Sequence, residues 1–413
     1  MSYRDTLLSP LTIGTRTCAN RFFAAPMECC DADADGNPTE LTRARYERLF
    51  AGGFGMICLE AISVTAESLA RRHQLLITPA NEAPLAALVK QVRAANPEPL
   101  FILQLTHSGE LSDPTFSRTV TPRALPGFGG EILTDGEMDK IVDQFVLAAK
   151  IAHAVGADGV DVKLAGGYLG TQLLRPYNNR DWKYGGTWEG RSRFAFEVFE
   201  RIRAEIDDER FLVGSKMAVW EGFAGGFGSP SLDSAIYDLT EPALLIKGLE
   251  ERGASFLHES AGSPAVTLDL VTTGKAAPYF AHLHSNFARD IKKLARPETV
   301  VIGSNYAVYR NGKNGLLAAS PEEASVFAIG AHNVDQGVTD MIALGRQSLA
   351  DPLLPAKYRD DLEQEIDFCT LCDHCTELLI RQATIGCATY NAHYREVLKR
   401  TREEHGGPLK IRH

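Results

Sequence analysis

The sequence has no run of apolar residues near the roughly 18 that a membrane-spanning helix requires, so nothing in it points to a bilayer. It also lacks an excess of positive charge: 43 Lys and Arg stand against 53 Asp and Glu, a net charge of −10 at pH 7. Such a balance argues against a nucleic acid or an anionic membrane surface as partner. The opening MSYRDTLLSPLTIG lacks the charged-then-apolar order of a signal peptide. These absences lead to the expectation of a cytoplasmic protein. Solenoid-type repeats are missing too, as is a G-x-G-x-x-G turn after the first strand-like run. The second absence disfavours a dinucleotide-binding doubly wound sheet.

What is present is a rhythm of short, near-continuously apolar runs: 21–26, 55–60, 100–105, 159–164, 211–217, 255–259, 299–303 and 340–345. Hydrophobicity without alternation suits parallel strands covered by helices on the outside. Between the runs lie helical patterns such as 137–155, with apolar residues at i, i+3 and i+4. Eight strand–helix units predict an α/β chain closed into a (β/α)8 barrel. The segment SPLTIGTRTCANR reads as a hairpin capping its bottom. From about Pro352 the rhythm stops. The expected division is a barrel over 1–355 and a small irregular appendage over 356–413.

Eight cysteines in a reducing compartment argue for something other than structural disulfides. Cys18, Cys29, Cys30 and Cys58 are scattered, whereas Cys369, Cys372, Cys375 and Cys387 crowd into one segment. Three cysteines at intervals of three residues can wrap a cubane that a distant fourth closes, as in a [4Fe-4S] cluster. Zinc is the competing reading, because C-x2-C is also a zinc knuckle and His374 is a further candidate ligand.

In such a barrel the reacting groups sit at the C-terminal ends of the strands. Those positions hold Pro26, Met27 and Glu28; Glu60; Gln104; Lys163, Gly166, Gly167 and Tyr168; Lys216; His258; Gly303 and Ser304; and Gly345 and Arg346. Glycine turns after strands seven and eight are where barrels commonly bind phosphate, and Arg346 would add a charged contact.

Several of these stretches carry a resemblance. Asn20-Arg21-Phe-Phe-Ala-Ala-Pro26-Met27, Gln104-Leu-Thr-His107-Ser-Gly109, Asn179-Arg180-Asp181-x-x-Tyr184-Gly185-Gly186 and Leu344-Gly345-Arg346-x-x-Leu-Ala350-Asp351-Pro352 resemble the old yellow enzyme family, over about residues 7–355. The cysteine segment is similar to the branch that holds 2,4-dienoyl-CoA reductase and trimethylamine dehydrogenase. The resemblance implies FMN in the barrel mouth, with Pro26, Met27, Glu28 and Glu60 beside it. It places Gln104 and Lys216 on the pyrimidine edge, Lys216 standing where the family usually has Arg. Gly303, Ser304, Gly345 and Arg346 fall on the phosphate. A flavin upstream tips the cysteine segment from zinc towards [4Fe-4S]. Cys29 and Cys30 follow the position at which some relatives have a flavin-contacting cysteine, which here is Glu28. Cys18 and Cys58 read as small core residues.

The resemblance also implies a reaction, the FMN-dependent reduction of a conjugated C=C bond. Tyr168 matches the proton-donor tyrosine, and His258 is expected to assist it as an imidazolium. The family's carbonyl clamp is replaced by Lys163 and Gly166, which suggests an anionic substrate; a salt bridge from Lys163 to Glu28, Glu60 or Asp161 is the plainer reading. Two alternatives stay open: an amine dehydrogenase or demethylase, with Trp220 as a candidate aromatic wall, and an electron-transfer subunit without catalysis. No Gly-rich dinucleotide turn follows Cys387. Electrons would then enter from NAD(P)H directly at FMN or from a separate donor such as a ferredoxin, flavodoxin or flavoprotein reductase, and the separate donor is expected because direct hydride transfer needs no cluster. A homo-oligomer is compatible with all of this.

Overall fold

The computed structural model describes residues 2–272, 274, 279–313, 320 and 322–411. Eight parallel strands close into a barrel in chain order. They are β1 (Phe22–Ala24), β2 (Met56–Ser63), β3 (Leu100–Thr106), β4 (Gly159–Val162), β5 (Leu212–Ala218), β6 (Phe256–Ser260), β7 (Val300–Gly303) and β8 (Met341–Leu344). Each overlaps one of the eight expected runs. The chain is a (β/α)8 barrel. Every strand residue is buried except Lys216, which is partly so.

Alternation along the strands fills the barrel. Phe23, Met56, Cys58, Leu100, Ile102, Leu212, Phe256, Val300, Ile302, Met341 and Ala343 pack into one apolar interior cluster. Ile13 and Cys18 belong to the same cluster, from the antiparallel hairpin Leu11–Ile13/Arg16–Cys18, which plugs the bottom. Leu103, Val160, Val213, Leu257, Val301 and Ile342 belong to the other large core, formed with the helices.

Among the described residues, one helix of ten residues or more follows each of the first seven strands: α1 (Glu40–Ala51), α2 (Glu82–Ala95), α3 (Asp135–Ala154), α4 (Trp188–Glu205), α5 (Thr240–Glu251), α6 (Phe280–Leu294) and α7 (Val326–Asp335). Helix α3 shows why these segments are helical. Thr134 and Glu137 form a capping box at its start. Met138, Ile141, Val142, Phe145, Val146 and Ala149 then give a buried stripe at helical spacing.

After β8 come α8 (Arg346–Ala350), α9 (Leu354–Arg359), α10 (His374–Ile380) and α11 (Ala392–Glu404). Helix α9 lies across the expected boundary at 355/356 and packs onto the barrel, with Tyr358 stacked on Phe327 at 3.9 Å between ring centroids. The segment beyond it is more helical than an irregular appendage, and residues 412–413 lie outside the described set. It has its own small core, in which Leu378, Ile385, Ala388, Tyr394 and Leu398 close over Cys29 and Cys30. Among the described residues, no helix is long and apolar enough to cross a membrane.

Candidate active site

The apolar interior gives way to polar side chains at the C-terminal end of the barrel. Gln104 and Asp161 are paired across β3 and β4, and Lys216 and His258 across β5 and β6. Gln104 Nε2 donates to Asp161 Oδ2 at 2.6 Å, and the Lys216 backbone N–H donates to Asp161 Oδ1 at 2.6 Å. Burial pushes the Asp161 carboxyl up and the Lys216 ammonium down from their ordinary values.

Above this layer four side chains meet. The Lys163 ammonium donates to Glu28 Oε1 at 3.0 Å, and the Tyr168 hydroxyl donates to the same oxygen at 2.5 Å. Arg71 Nε lies 3.3 Å from Glu28 Oε2. The Lys163 Nζ also sits 3.3 Å from the centre of the Tyr168 ring, a cation–π contact. Burial opposes charge on Glu28, but Lys163, Arg71 and Tyr168 outweigh it and hold the carboxyl down to about 2. Burial lowers Lys163 despite Glu28. The two shifts pull in opposite directions; with Glu28 ionised this deeply, we assign an ammonium–carboxylate pair at neutral pH. Burial and the adjacent Glu28 raise Tyr168 well above a free phenol, so it stays protonated.

Tyr168 reaches this cluster because of the two residues before it. Gly166 and Gly167 both take left-handed backbone, φ 68° and 74°. A Cβ on Gly167 would lie 2.5 Å from Ser263 Oγ. The turn thus excludes a side chain at 167 and disfavours one at 166, where the family pattern has a donor.

Several expected site residues have other work. His258 is fully buried, with Nε2 3.0 Å from Ser304 Oγ and its ring edge-on to Phe23. Burial, with Lys216 beside it, pushes it well below the ordinary imidazole value. Burial thus disfavours an imidazolium there, and the side chain that the Tyr168 hydroxyl contacts is Glu28. Glu60 is likewise committed: its oxygens accept from Arg45 and from the Cys29 backbone N–H at 2.6 Å. Burial raises its carboxyl to about 7 despite Arg45.

Ser304 donates its hydroxyl to Glu259 O at 2.6 Å and its amide to Glu259 Oε2 at 3.1 Å. At Gly345 a Cβ would lie 3.1 Å from Met27 Sδ, so a side chain there would crowd Met27. Arg346 Nη1 donates to Asp373 Oδ1 at 3.0 Å. The Trp220 ring, the candidate aromatic wall, packs with Tyr237 and Phe287. Arg71 escaped the sequence reading. The available signal was an arginine pair in the loop after strand two, on the face where barrels do their chemistry.

The four clustered cysteines are free thiols and line a single cavity together with Arg346. Left-handed backbone at Leu371 (φ 53°) and Asp373 (φ 59°) winds the chain between the first three. Among the described residues, no three His, Cys, Asp or Glu side chains are gathered closely enough to hold a single metal ion. Four thiols around one void, with His374 also lining it, are a donor set that fits an iron–sulfur cluster and that zinc also uses.

A closed parallel barrel with charged groups gathered at the C-terminal ends of its strands defines an enzyme of the TIM-barrel class. The chain belongs to the NADH:flavin oxidoreductase / NADH oxidase family, whose model matches residues 6–244. The family is one of flavin-dependent oxidoreductases. The chain is 26% identical over 385 residues to an NADH oxidase of Thermoanaerobacter brockii, covering 90% of this chain and 54% of the relative. It is 27% identical to a dimethylamine dehydrogenase of Hyphomicrobium sp., covering 90% and 48%. A cinnamate reductase of Clostridium sporogenes is 26% identical, covering 94% and 58%. Among solved structures, a 2-naphthoyl-CoA reductase has the same fold, with TM-score 0.79 at 20% identity, covering 96% of this chain and 58% of that one. The chain spans about half the length of these curated relatives.

Proposed function

We propose that this chain reduces the C=C bond of an α,β-unsaturated carboxylate with FMN in the barrel mouth. The observation that carries the reading is the convergence of Lys163 and Tyr168 on one carboxylate oxygen, that of Glu28. Glu28 uses one of the three donors of the ammonium. The others are available to a substrate carboxylate, and the two cations around Glu28 leave the cluster net positive. A positive mouth disfavours a cationic amine. A relative named for cinnamate, itself an unsaturated acid, supports the same reading.

The residues fit FMN in two places. The polar layer of Gln104, Asp161 and Lys216 would meet the pyrimidine edge. The turns at Gly303 and Gly345 would carry the phosphate, with Arg346 shared between that turn and the cysteine cavity. When bound, FMN supplies hydride chemistry. Lys163 holds the substrate carboxylate and orients the double bond. Tyr168 holds a proton on its hydroxyl oxygen and delivers it to the carbon that does not receive hydride. Lys163, against the tyrosine ring, offsets the charge that develops on the phenol oxygen. Cys369, Cys372, Cys375 and Cys387 would hold a [4Fe-4S] cluster, which supplies one-electron exchange with a separate donor protein.

The test is anaerobic reoxidation of the reduced flavin. Unsaturated acids are expected to reoxidise it faster than their methyl esters. The reading is overturned if no acid does so while an alkylamine reduces the oxidised flavin. Rapid complete bleaching by NADH or NADPH alone would remove the separate donor.

A further inference from the structure

The stretch between the third and fourth clustered cysteines touches both loops that supply charge to the mouth. Helix α10 carries Cys375 and ends at Ile380; Gln382 follows with φ 58°. This left-handed position after a helix is ordinarily glycine, because a Cβ costs roughly 1 kcal/mol there. A glutamine occupies it, and its side chain is engaged. Gln382 Nε2 donates to Ala70 O at 3.0 Å, and its Oε1 accepts from the Arg72 N–H at 3.3 Å.

These two bonds straddle Arg71, whose Nε faces Glu28 Oε2 at 3.3 Å. Arg71 Nη1 folds onto the same Ala70 carbonyl at 3.2 Å, so Gln382 fixes the acceptor that orients the guanidinium. Just beyond, the Ile385 N–H donates to Cys29 O at 2.8 Å and Thr384 Oγ1 donates to Cys30 O at 3.4 Å. The loop after β1, which bears Glu28, is thus held by the same stretch.

We propose that Gln382 is a positioning residue for Arg71, and that Arg71, so held, is the specificity-determining cation that makes the mouth prefer substrates bearing a carboxylate. The proposal rests on the reading of the mouth given above. A guanidinium offers a planar fork to a carboxylate, which a lysine ammonium does not. Lys163 grips Glu28 from the floor of the mouth, and Arg71 approaches the other oxygen from the loop after β2. A substrate carboxylate entering beside Glu28 meets both.

The experiment uses the holoenzyme and two variants. Gln382→Gly removes the grip and relaxes the turn; Gln382→Ala removes the grip alone. Flavin and iron contents are expected to match wild type, and Gln382→Gly to melt no lower. Amide exchange over residues 66–74 is expected to quicken by about tenfold in both variants. The KM for an α,β-unsaturated carboxylate is expected to rise about tenfold, the loss of roughly one charge-assisted contact, with the KM of its methyl ester unmoved. Arg71→Gln raises the KM for the acid without quickening exchange. Wild-type exchange over 66–74 in both Gln382 variants overturns the positioning role. An equal rise for acid and ester overturns the specificity role. If no unsaturated acid is a substrate, the reading of the reaction fails, while the exchange measurement still decides whether Gln382 holds the Arg71 loop.

Discussion

The hydroxyl of Tyr168 donates to Glu28 at 2.5 Å, and the same carboxylate oxygen accepts from Lys163 at 3.0 Å. Glu28 comes from the loop after β1 and the other two from the chain after β4, so the bond pattern ties two distant segments together across the mouth. It also sets the protonation of each partner: carboxylate, phenol and ammonium.

Replacing Tyr168 by Phe removes the proton donor and leaves the ring in place. The rate of C=C reduction is expected to fall by about 10²–10⁴-fold, the usual worth of a positioned acid, with the flavin reduction rate unchanged. Stopped-flow absorbance of the two half-reactions separates them. An unchanged reoxidation rate would remove Tyr168 from the chemistry.

Lys163→Met should weaken binding of an unsaturated acid by about tenfold or more, since a buried charge-assisted contact contributes roughly 1.5–3 kcal/mol. Its methyl ester should be affected much less. Equal effects on acid and ester in steady-state kinetics would speak against a carboxylate at Lys163.

Glu28→Gln leaves the buried Lys163 and the partly exposed Arg71 without a counter-charge, at a cost of about 3–5 kcal/mol at pH 7. The pH dependence has a definite sign. Glu28 is held down to about 2 in the folded state, below its ordinary value, so its stabilisation is complete above roughly pH 5 and is lost as pH falls towards 2. The gap in unfolding free energy between wild type and variant should narrow over that window, as followed by denaturant titrations at successive pH values.

His258, neutral and bonded to Ser304, should contribute no inflection near pH 6.5 to the pH profile of kcat. His258→Ala is expected to cost about 2–4 kcal/mol of stability, from the cavity and the lost hydrogen bond. A kcat loss as large as that of Tyr168→Phe, without a stability change, would restore it as a catalytic group.

For the cysteine cavity, metal analysis of anaerobically purified protein should find about four irons per chain with matching sulfide, and little zinc. Cys387→Ser should lower the iron content and quicken exchange over residues 66–74 and 382–386. Stoichiometric zinc would replace the cluster reading outright.

The fold was legible because each strand is a short apolar run without alternation, and burial on both faces leaves that mark wherever a covered parallel sheet forms. The bottom hairpin was read from SPLTIGTRTCANR, and it buries Ile13 and Cys18 in the barrel interior. The candidate site was legible as a set of residue types at strand ends, Gln104, Lys163, Tyr168 and Lys216 among them, and the Lys163–Glu28 pair was among the partners expected; Tyr168 and Arg71 on the same carboxylate were not. His258 reads as a catalytic imidazole in sequence, yet strand alternation turns it inward beside Phe23. Arg71 carries only the weak mark of an arginine pair after strand two, and Gln382 has nothing in its neighbourhood to mark it. One lies in a polar loop and the other after a short helix, over three hundred residues away.

The sequence by itself therefore determined the barrel, the positions at its mouth and the four-cysteine segment, because local periodicity and spacing encode them. Only the tertiary structure decided that Glu28 receives Lys163, Tyr168 and Arg71, that Arg346 faces Asp373, and that the cysteine segment braces the mouth. Those pairings join groups from separate loops. Their energies depend on distance and burial, which exist only once the chain has closed the barrel.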